Sequence, residues 1–404
     1  MRSSSAILPV FHNLGLRSKL GILMAVLGLP IVVLLVLQYQ QANKEIAFAT
    51  SESDGLTYVG EGPMQLLYDV QRHRLLQAAA LHGDSTYRAA LQESAAAIEN
   101  DLQRIATLQA RFNDWDTESL VQATVAKWDD LKKTSESNPD AVLVAHNTLV
   151  EQAIIPLIFR IANHSNLYLD PEINTLNTLI GVLSDLVDAS EAGSRSAAHA
   201  VSVGRSGLLQ SDLNRELAPG QIQSAQTARI SMLRWIDAAM ESDITFRNAI
   251  NDLVQTSNVE AERLSTRSAA ALDTIPGRTS IGEIVDIAGS SIDSNEALFV
   301  GAAAAVSKEL ATRTGDARTS QVLLLGFSAF AFVVAIAVAL AVATSITRPI
   351  ERLAYVADQM SLGQLDVEID IESKNEIGQL AESLRRMQAS LKGAIERLRA
   401  RKAA

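Results

Sequence analysis

The sequence predicts an all-α membrane protein with two transmembrane helices, a helical region between them and a parallel coiled coil after the second span. Three observations carry that prediction. The chain of 404 residues is 48% apolar yet only 4% aromatic, with 21 glycines and 9 prolines, a composition of long helices rather than of sheets. Two apolar runs, Leu20 to Leu37 and Val322 to Ala343, contain no charged residue. Beyond the second, apolar residues recur at alternating three- and four-residue spacing, the seam of a coiled coil.

Residues 1–19 form a tail with Arg2, Arg17 and Lys19 and no acid. The run 20–37 has 18 residues. A cleaved signal peptide has a core of roughly 7 to 15 residues and a small-residue cleavage site; neither fits, so this run is read as an uncleaved first transmembrane helix. Cationic residues before it, and Arg348 and Arg352 after the second span, place both termini in the cytoplasm. The protein is then a multi-pass membrane protein, and residues 38–321 are extracytoplasmic. The charge agrees. The tail is +3 and residues 344–404 carry ten basic and nine acidic groups, so the total of −11 leaves −15 for residues 20–343. That balance argues against nucleic acid as a partner and suits a solvated domain. With no cysteine in the chain, there is no disulfide framework, thiolate metal site or thiol nucleophile.

Between the spans the chain reads as helices over 39–57, 64–82, 86–112, 117–134, 141–163, 171–203, 221–257 and 280–312. Their breaks fall at Gly60-Glu61-Gly62-Pro63, Gly83-Asp84-Ser85, Asn138-Pro139-Asp140, Asp170-Pro171, Pro219-Gly220 and Pro276-Gly277, all turn-forming clusters. A four-helix bundle with helices of about 30 residues uses roughly 140 residues. A region of 284 residues therefore predicts two helical bundles, stacked, with some helices running through both.

The second span, 322–343, has 22 residues; at about 1.5 Å each it crosses the roughly 30 Å hydrocarbon core. Ala331, Ala335, Ala339 and Ala343 recur every four residues, either a close-packing face for another helix or alanine merely tolerated in lipid. Arg348-Pro349 then bends or re-seats the helix, because proline donates no backbone hydrogen bond. Ile350, Leu353, Ala357 and Met360 form a seam, and Gly363 ends that helix. The connector 364–372 alternates Leu365, Val367, Ile369 and Ile371 with acids; it is read as an extended linker, since a lone strand has no partner. Ser373-Lys374-Asn375-Glu376 predicts a capping box joining Ser373 to Glu376. From there Ile377, Leu380, Leu384, Met387, Leu391, Ile395 and Leu398 keep the heptad spacing. Two such short helices bury little alone, which predicts a homodimer with a parallel four-helix bundle.

Span, Arg-Pro, heptad helix, Gly363, connector and Asn375-Glu376-Ile377-Gly378 together resemble the HAMP linker of bacterial sensor kinases and chemoreceptors. Asn375 stands where that family commonly has aspartate. The resemblance implies a HAMP domain over 344–397, a basic tail over 398–404, and a place in a bacterial inner (plasma) membrane. Pro349, Gly363, Glu376 and Gly378 are its candidate relay residues, and Ile350, Leu353, Met360, Ile377, Leu380, Leu384, Met387 and Leu391 its seam. A second set of residues, Lys44 to Ala49, Glu52, Gly55-Leu56, Tyr58, Gln71-Arg72-His73-Arg74 and Ser165 to Pro171, resembles the helical extracytoplasmic sensor of some chemoreceptors and diguanylate cyclases. Those relatives follow Asp-Pro with a Ser-Tyr-Tyr-like segment, and this chain has Ile173-Asn174-Thr175-Leu176-Asn177 instead.

Small anionic ligands of helical sensors are gripped by arginines. The candidates are Arg72, Arg74, Arg160, Arg229 and Arg234. Two readings compete for Arg160, set among Ile154, Ile155, Leu157, Ile158, Phe159 and Ile161: ligand contact, or an ion pair with Asp185 or Asp188. Trp115, Trp128 and Trp235 read as core anchors. His73 and His82, nine residues apart, do not share a helical face and do not make a metal site. No histidine follows the second span, so a histidine-kinase output is absent from these residues. No P-loop, dinucleotide fingerprint or nucleophile elbow occurs; neither an enzyme nor a cofactor is expected.

The function these residues point to is transmembrane signal transduction. Sensing of a small molecule or a partner protein outside the cytoplasm is relayed through the second span to the coiled coil, which acts on a separate or missing output module. The expected partners are a second copy of the chain, the membrane, that ligand and a separate cytoplasmic signalling protein, and not nucleic acid. A truncated chemoreceptor or diguanylate cyclase, and a non-sensing helical scaffold, are the alternatives.

Overall fold

The computed structural model describes residues 16–81, 84–206, 212–273 and 280–403, and the chain forms two compact units, residues 44–317 and residues 1–43 with 318–404. Every regular element among the described residues is helical. His82, Gly83 and Pro276-Gly277 lie outside the described residues.

Residues 44–317 hold the end of α1 (Leu16–Val59), then α2 (Gln65–Leu81), α3 (Arg88–Arg111), α4 (Glu118–Lys133), α5 (Pro139–Leu149), α6 (Ile155–His164), α7 (Ile173–Ile180), α8 (Leu186–Ser206), α9 (Asp212–Ser242), α10 (Ile244–Asp273) and the first part of α11 (Ile281–Val342). Several expected breaks are absent. At Gly60–Met64 the helix widens to a π turn and continues past Pro63. A π turn at Val150–Ile154 also precedes Pro156 inside the helix expected over 141–163, and one at Ala343–Thr347 precedes Pro349, where the sequence predicts a bent or re-seated helix. A wide turn accommodates a residue that cannot donate its hydrogen bond, so the helix is re-seated rather than ended. Pro219 also lies inside α9. The helix expected over 221–257 breaks instead at Asp243, whose carboxylate accepts from the backbone N–H groups of Thr245 and Phe246 at 2.7 and 3.2 Å and so starts α10. Asn138 caps α5 in the same way, with Pro139 at its first turn.

The core of this unit is two apolar clusters arranged along shared helices. Val70 and its predecessors on α2, Leu186 and Val187 on α8, Val254 on α10 and Ile292 to Leu310 on α11 belong to the larger cluster. Leu75 to Ala79, Ala197 to Val201, Leu264 with Ala271, and Ile284 to Ala288 on the same four helices belong to the smaller. Between them each helix contributes buried polar side chains, among them Gln71, Arg74, Glu191, Ser194, Ser257 and Ser291. The core is therefore interrupted by a polar layer.

In the other unit, Leu29, Ile31 and Leu34 of α1 and Val322, Phe327 and Phe330 of α11 are exposed. Large side chains displayed on all sides of an uncharged helix suit lipid, not water. By length and composition alone Pro139–His164 would also cross a membrane, but half of that stretch is buried, with Leu149, Ile154, Leu157 and Ile161 inside the larger cluster. It is a core helix. After the π turn come α12 (Arg348–Ser361) and α13 (Glu376–Ala403).

Candidate functional site

Two constellations stand out, one after the apolar run 322–343 and one in the polar layer. In the first, Pro349 occupies the opening turn of α12, where its missing N–H costs nothing. The helix ends in a Schellman turn, with Gln364 N–H donating to Gln359 O at 3.0 Å and Gly363 at φ +86°, a conformation glycine adopts without penalty. The connector is extended and docked: Leu365, Val367 and Ile371 pack beside buried Ile369 against Leu353, Val356, Met360, Ala381 and Leu384. Its carbonyls are held by two side chains of α13 not anticipated from sequence. Arg385 donates to the carbonyls of Ile369 and Ile371 at 3.0 and 2.7 Å, and Gln388 to those of Leu365 and Val367 at 3.0 and 2.7 Å. An unpaired extended segment thus satisfies its backbone without a neighbouring strand.

The start of α13 differs from the expected capping box. Asn375, not Ser373, caps it, its Oδ1 accepting from Ile377 and Gly378 N–H at 3.1 and 3.3 Å; an asparagine directly before the first helical residue reaches those groups better than a serine two positions earlier. Glu376 is exposed at the positive end of the helix, where its charge is favourable. Gly378 is buried: a Cβ there would clash with the carbonyl oxygen of Ser373. The proposed seam is divided. Leu353, Met360 and Leu384 are buried and Ile377 half-buried within one chain, whereas Ile350, Leu380 (51% exposed), Met387 and Leu391 (41% exposed) face outward.

In the polar layer the candidate arginines separate. Arg74 is buried and bidentate to Glu191 at 2.7 and 2.8 Å, with Asn147 at 2.9 Å and Arg195 also on Glu191. Burial raises the Glu191 carboxyl, but Arg74 and Arg195 outweigh it and hold it down at about 2. Arg72 is spread over Asp69, Asp293 and Glu296. Arg160 lies on the outer face of α6 and pairs with Asp116 at 2.6 Å; neither Asp185 nor Asp188 is its partner, and the apolar neighbours in sequence point inward while it points out. Arg234 is exposed, and so is Trp235 at 38%, against its expected place in the core. Arg229 differs from all of them. It is 7% exposed and donates to Ser257 Oγ and Asn295 Oδ1, each at 2.7 Å. Among the described residues no carboxylate pairs with it, and burial pulls its guanidinium down to about 10. It lines a cavity of about 400 Å³ among α8, α9, α10 and α11.

His73 meets His146, not His82, ring nitrogens 2.9 Å apart. His146 Nδ1 lies 2.8 Å from the Val142 carbonyl, so Nδ1 donates, Nε2 accepts, and His73 Nδ1 is the donor between the rings. Burial holds His73 at about 4 and pulls His146 well below its ordinary value. Residues from the second resemblance meet elsewhere: Arg313 of α11 holds Asp170 at 2.7 and 3.1 Å, and beside them burial, then Asp170, pushes buried Glu52 up to about 8.

The HAMP domain family model matches residues 341–393. A putative sensory transducer protein of Acetivibrio thermocellus is 27% identical over 107 residues, 26% of this chain and 19% of the relative. The methyl-accepting chemotaxis protein TlpB of Bacillus subtilis is 47% identical over 51 residues, 13% of this chain and 8% of the relative. The chain thus spans less than a fifth of the length of these curated relatives. No solved structure matches it significantly. The chain carries a HAMP domain and is similar to chemoreceptor-like signal transducers.

Proposed function

We propose that the chain is a homodimeric signal transducer of the inner membrane with both termini in the cytoplasm. Residues 20–37 and 322–343 span the bilayer, 38–321 sense a small molecule or protein outside the cytoplasm, and 344–397 pass the change to a cytoplasmic output module. It carries out no chemical step of its own. The observation that carries this reading is α11, a helix of 62 residues that supplies Ile284 to Leu310 to the sensor core and then an uncharged exposed run, leading through the π turn into the HAMP match at 341–393. A ligand acts here only by its different affinity for two packings of the seam. The outward stripe of Leu380, Met387 and Leu391 supports pairing with a second copy, since apolar residues at seven- and four-residue intervals need a facing helix.

Because the chain has no cysteine, single cysteines report on that pairing in native membranes. Leu380→Cys and Leu391→Cys should form disulfide-linked dimers quickly, and Ala389→Cys, on the opposite face of α13, slowly. Equal rates at all three would overturn the seam.

A further inference from the structure

We propose that the cavity enclosed by α8, α9, α10 and α11 binds a small monocarboxylate, with the carboxylate on Arg229 and the apolar body against Ala225, Leu233, Leu264 and Ile292. The inference deepens the sensor reading above and rests on it for its physiological sense, though not for the binding itself.

Arg72, Arg74, Arg195 and Arg313, at least half-buried in the same unit, each have a carboxylate. Arg229 has two neutral oxygens and the Met232 sulfur at 3.6 Å, and an uncompensated buried cation is costly unless something neutralises it. Of the five N–H donors of a guanidinium, those contacts leave the Nε–H and one on Nη2, two donors on neighbouring nitrogens, the pattern a carboxylate accepts bidentately. Nε is buried without a hydrogen-bond partner. So is the hydroxyl of Ser194, 2% exposed and on the wall of the same cavity. Two orphaned donors on residues that line one cavity are a second sign, independent of charge, that an acceptor belongs there.

The walls narrow the class. Arg229 is the one cation lining the cavity and Glu262 the one acid, and Glu262 is exposed. One buried positive charge behind an acidic mouth suits a monoanion and disfavours dicarboxylates and phosphate. The remaining lining is largely alanine, leucine and isoleucine with small hydroxyls. At about 400 Å³ the cavity is at the small end of ligand pockets. It also sits where four helices cross the polar layer, one of them α11, so an occupant would bear directly on the helix that leads to the second span.

The test is isothermal titration calorimetry on the full chain in lipid nanodiscs, with sodium benzoate and sodium butyrate as probes and benzamide, butyramide and inorganic phosphate as controls. The carboxylates should bind, and the isosteric amides roughly 10- to 100-fold more weakly, the loss of charge-assisted hydrogen bonds. Arg229→Met should abolish binding. Because that variant also frees Asn295 and Ser257, Ser194→Leu serves as the second, filling the cavity while leaving every bond of Arg229 in place; it should lose binding with an unchanged melting temperature. Amides or phosphate binding as tightly as the acids, no heat from either acid with the wild-type chain, or wild-type affinity in Ser194→Leu would each overturn the site. Benzoate binding that leaves Leu380→Cys cross-linking unaltered would instead remove the relay and keep the site.

Discussion

The unit of residues 44–317, the proposed sensor, and the HAMP segment are both helical and both follow apolar periodicity, yet they close their cores differently. The sensor buries Trp128, Arg74, Tyr58 and Met64 completely within one chain and satisfies most of its polar layer internally. The HAMP segment buries only a small cluster around Val356 and Ala381 and turns Leu380, Met387 and Leu391 outward. A core completed inside the chain is stable by itself, whereas a core completed between chains is a switch whose equilibrium a neighbour can bias. Each prediction below should move one region and leave the other still.

The largest effect falls on the sensor. Arg74→Met removes the bidentate partner of a buried carboxylate, and breaking such a pair costs about 3–5 kcal/mol. Denaturant unfolding followed by tryptophan fluorescence should show that loss, while cross-linking at Leu391→Cys on the folded protein stays unchanged. A shift below about 1 kcal/mol would mean that Arg195 alone suffices for Glu191, against the usual cost of leaving a buried charge half-paired.

Acidity comes next. His73, His146 and His199 are held below their ordinary value by burial, so the unfolded chain takes up protons first as pH falls through 6.5. Each then subtracts about 1.4 kcal/mol per pH unit. Glu52 at about 8 and Asp101, raised by burial and by Asp69, act oppositely: the folded state keeps protons that the unfolded chain releases, and their contribution is lost as pH rises. From pH 6.5 to 4.5 the three histidines together outweigh these carboxyls and Asp188, itself raised by burial, so stability falls. From 6.5 to 8 only the carboxyls change, and stability falls again. Unfolding midpoints should therefore peak near pH 6.5, and a monotonic profile would sink the assignment. Seam cross-linking rates, corrected for thiol ionisation, should stay flat. The HAMP groups with shifts, Asp366 lowered by Lys392 and Lys392 raised by Asp366, titrate outside that range.

Gly378→Ala reverses the comparison. Its Cβ would clash with the Ser373 carbonyl, backbone that cannot rotate away, and overpacking of this kind costs about 1–3 kcal/mol. Disulfide formation at Leu380→Cys should slow with the sensor melting point unmoved. Unchanged rates would show that the connector yields.

What the sequence made legible were features written in consecutive residues: the uncharged runs, the heptads, and Pro349, Gly363 and Gly378 in register. What it hid were partners far apart along the chain. Arg74 and Glu191 are 117 residues apart, and Arg229 and Asn295 are 66, so nothing local marks the first as paired and the other cation as unpaired. The docking of the connector was equally invisible, because Arg385 and Gln388 look like ordinary polar-face residues until Leu365 to Ile371 lie across them. Proline misled in the opposite sense. Gly60-Glu61-Gly62-Pro63 reads as a break, but tertiary packing keeps the helix going through a wider turn at little cost in buried contacts. Arg160 shows that apolar neighbours in sequence do not make an apolar environment when 3.6 residues complete a turn.

The smallest effect separates two accounts of one helix start. If Ser373 and Glu376 formed a reciprocal box, Ser373→Ala and Glu376→Ala would each weaken α13 by about 1 kcal/mol. With Asn375 as the cap, Asn375→Ala takes that cost, since two N–H groups at 3.1 and 3.3 Å lose their acceptor. Asn375→Asp should be neutral or better, because a carboxylate accepts the same bonds and adds charge at the positive helix end. Glu376→Ala should lose only a few tenths of a kcal/mol, an exposed charge acting on the dipole alone. Hydrogen exchange at Ile377 and Gly378 in the full chain reads the difference: faster exchange in Asn375→Ala than in Ser373→Ala places the cap on Asn375, and the reverse order returns it to Ser373.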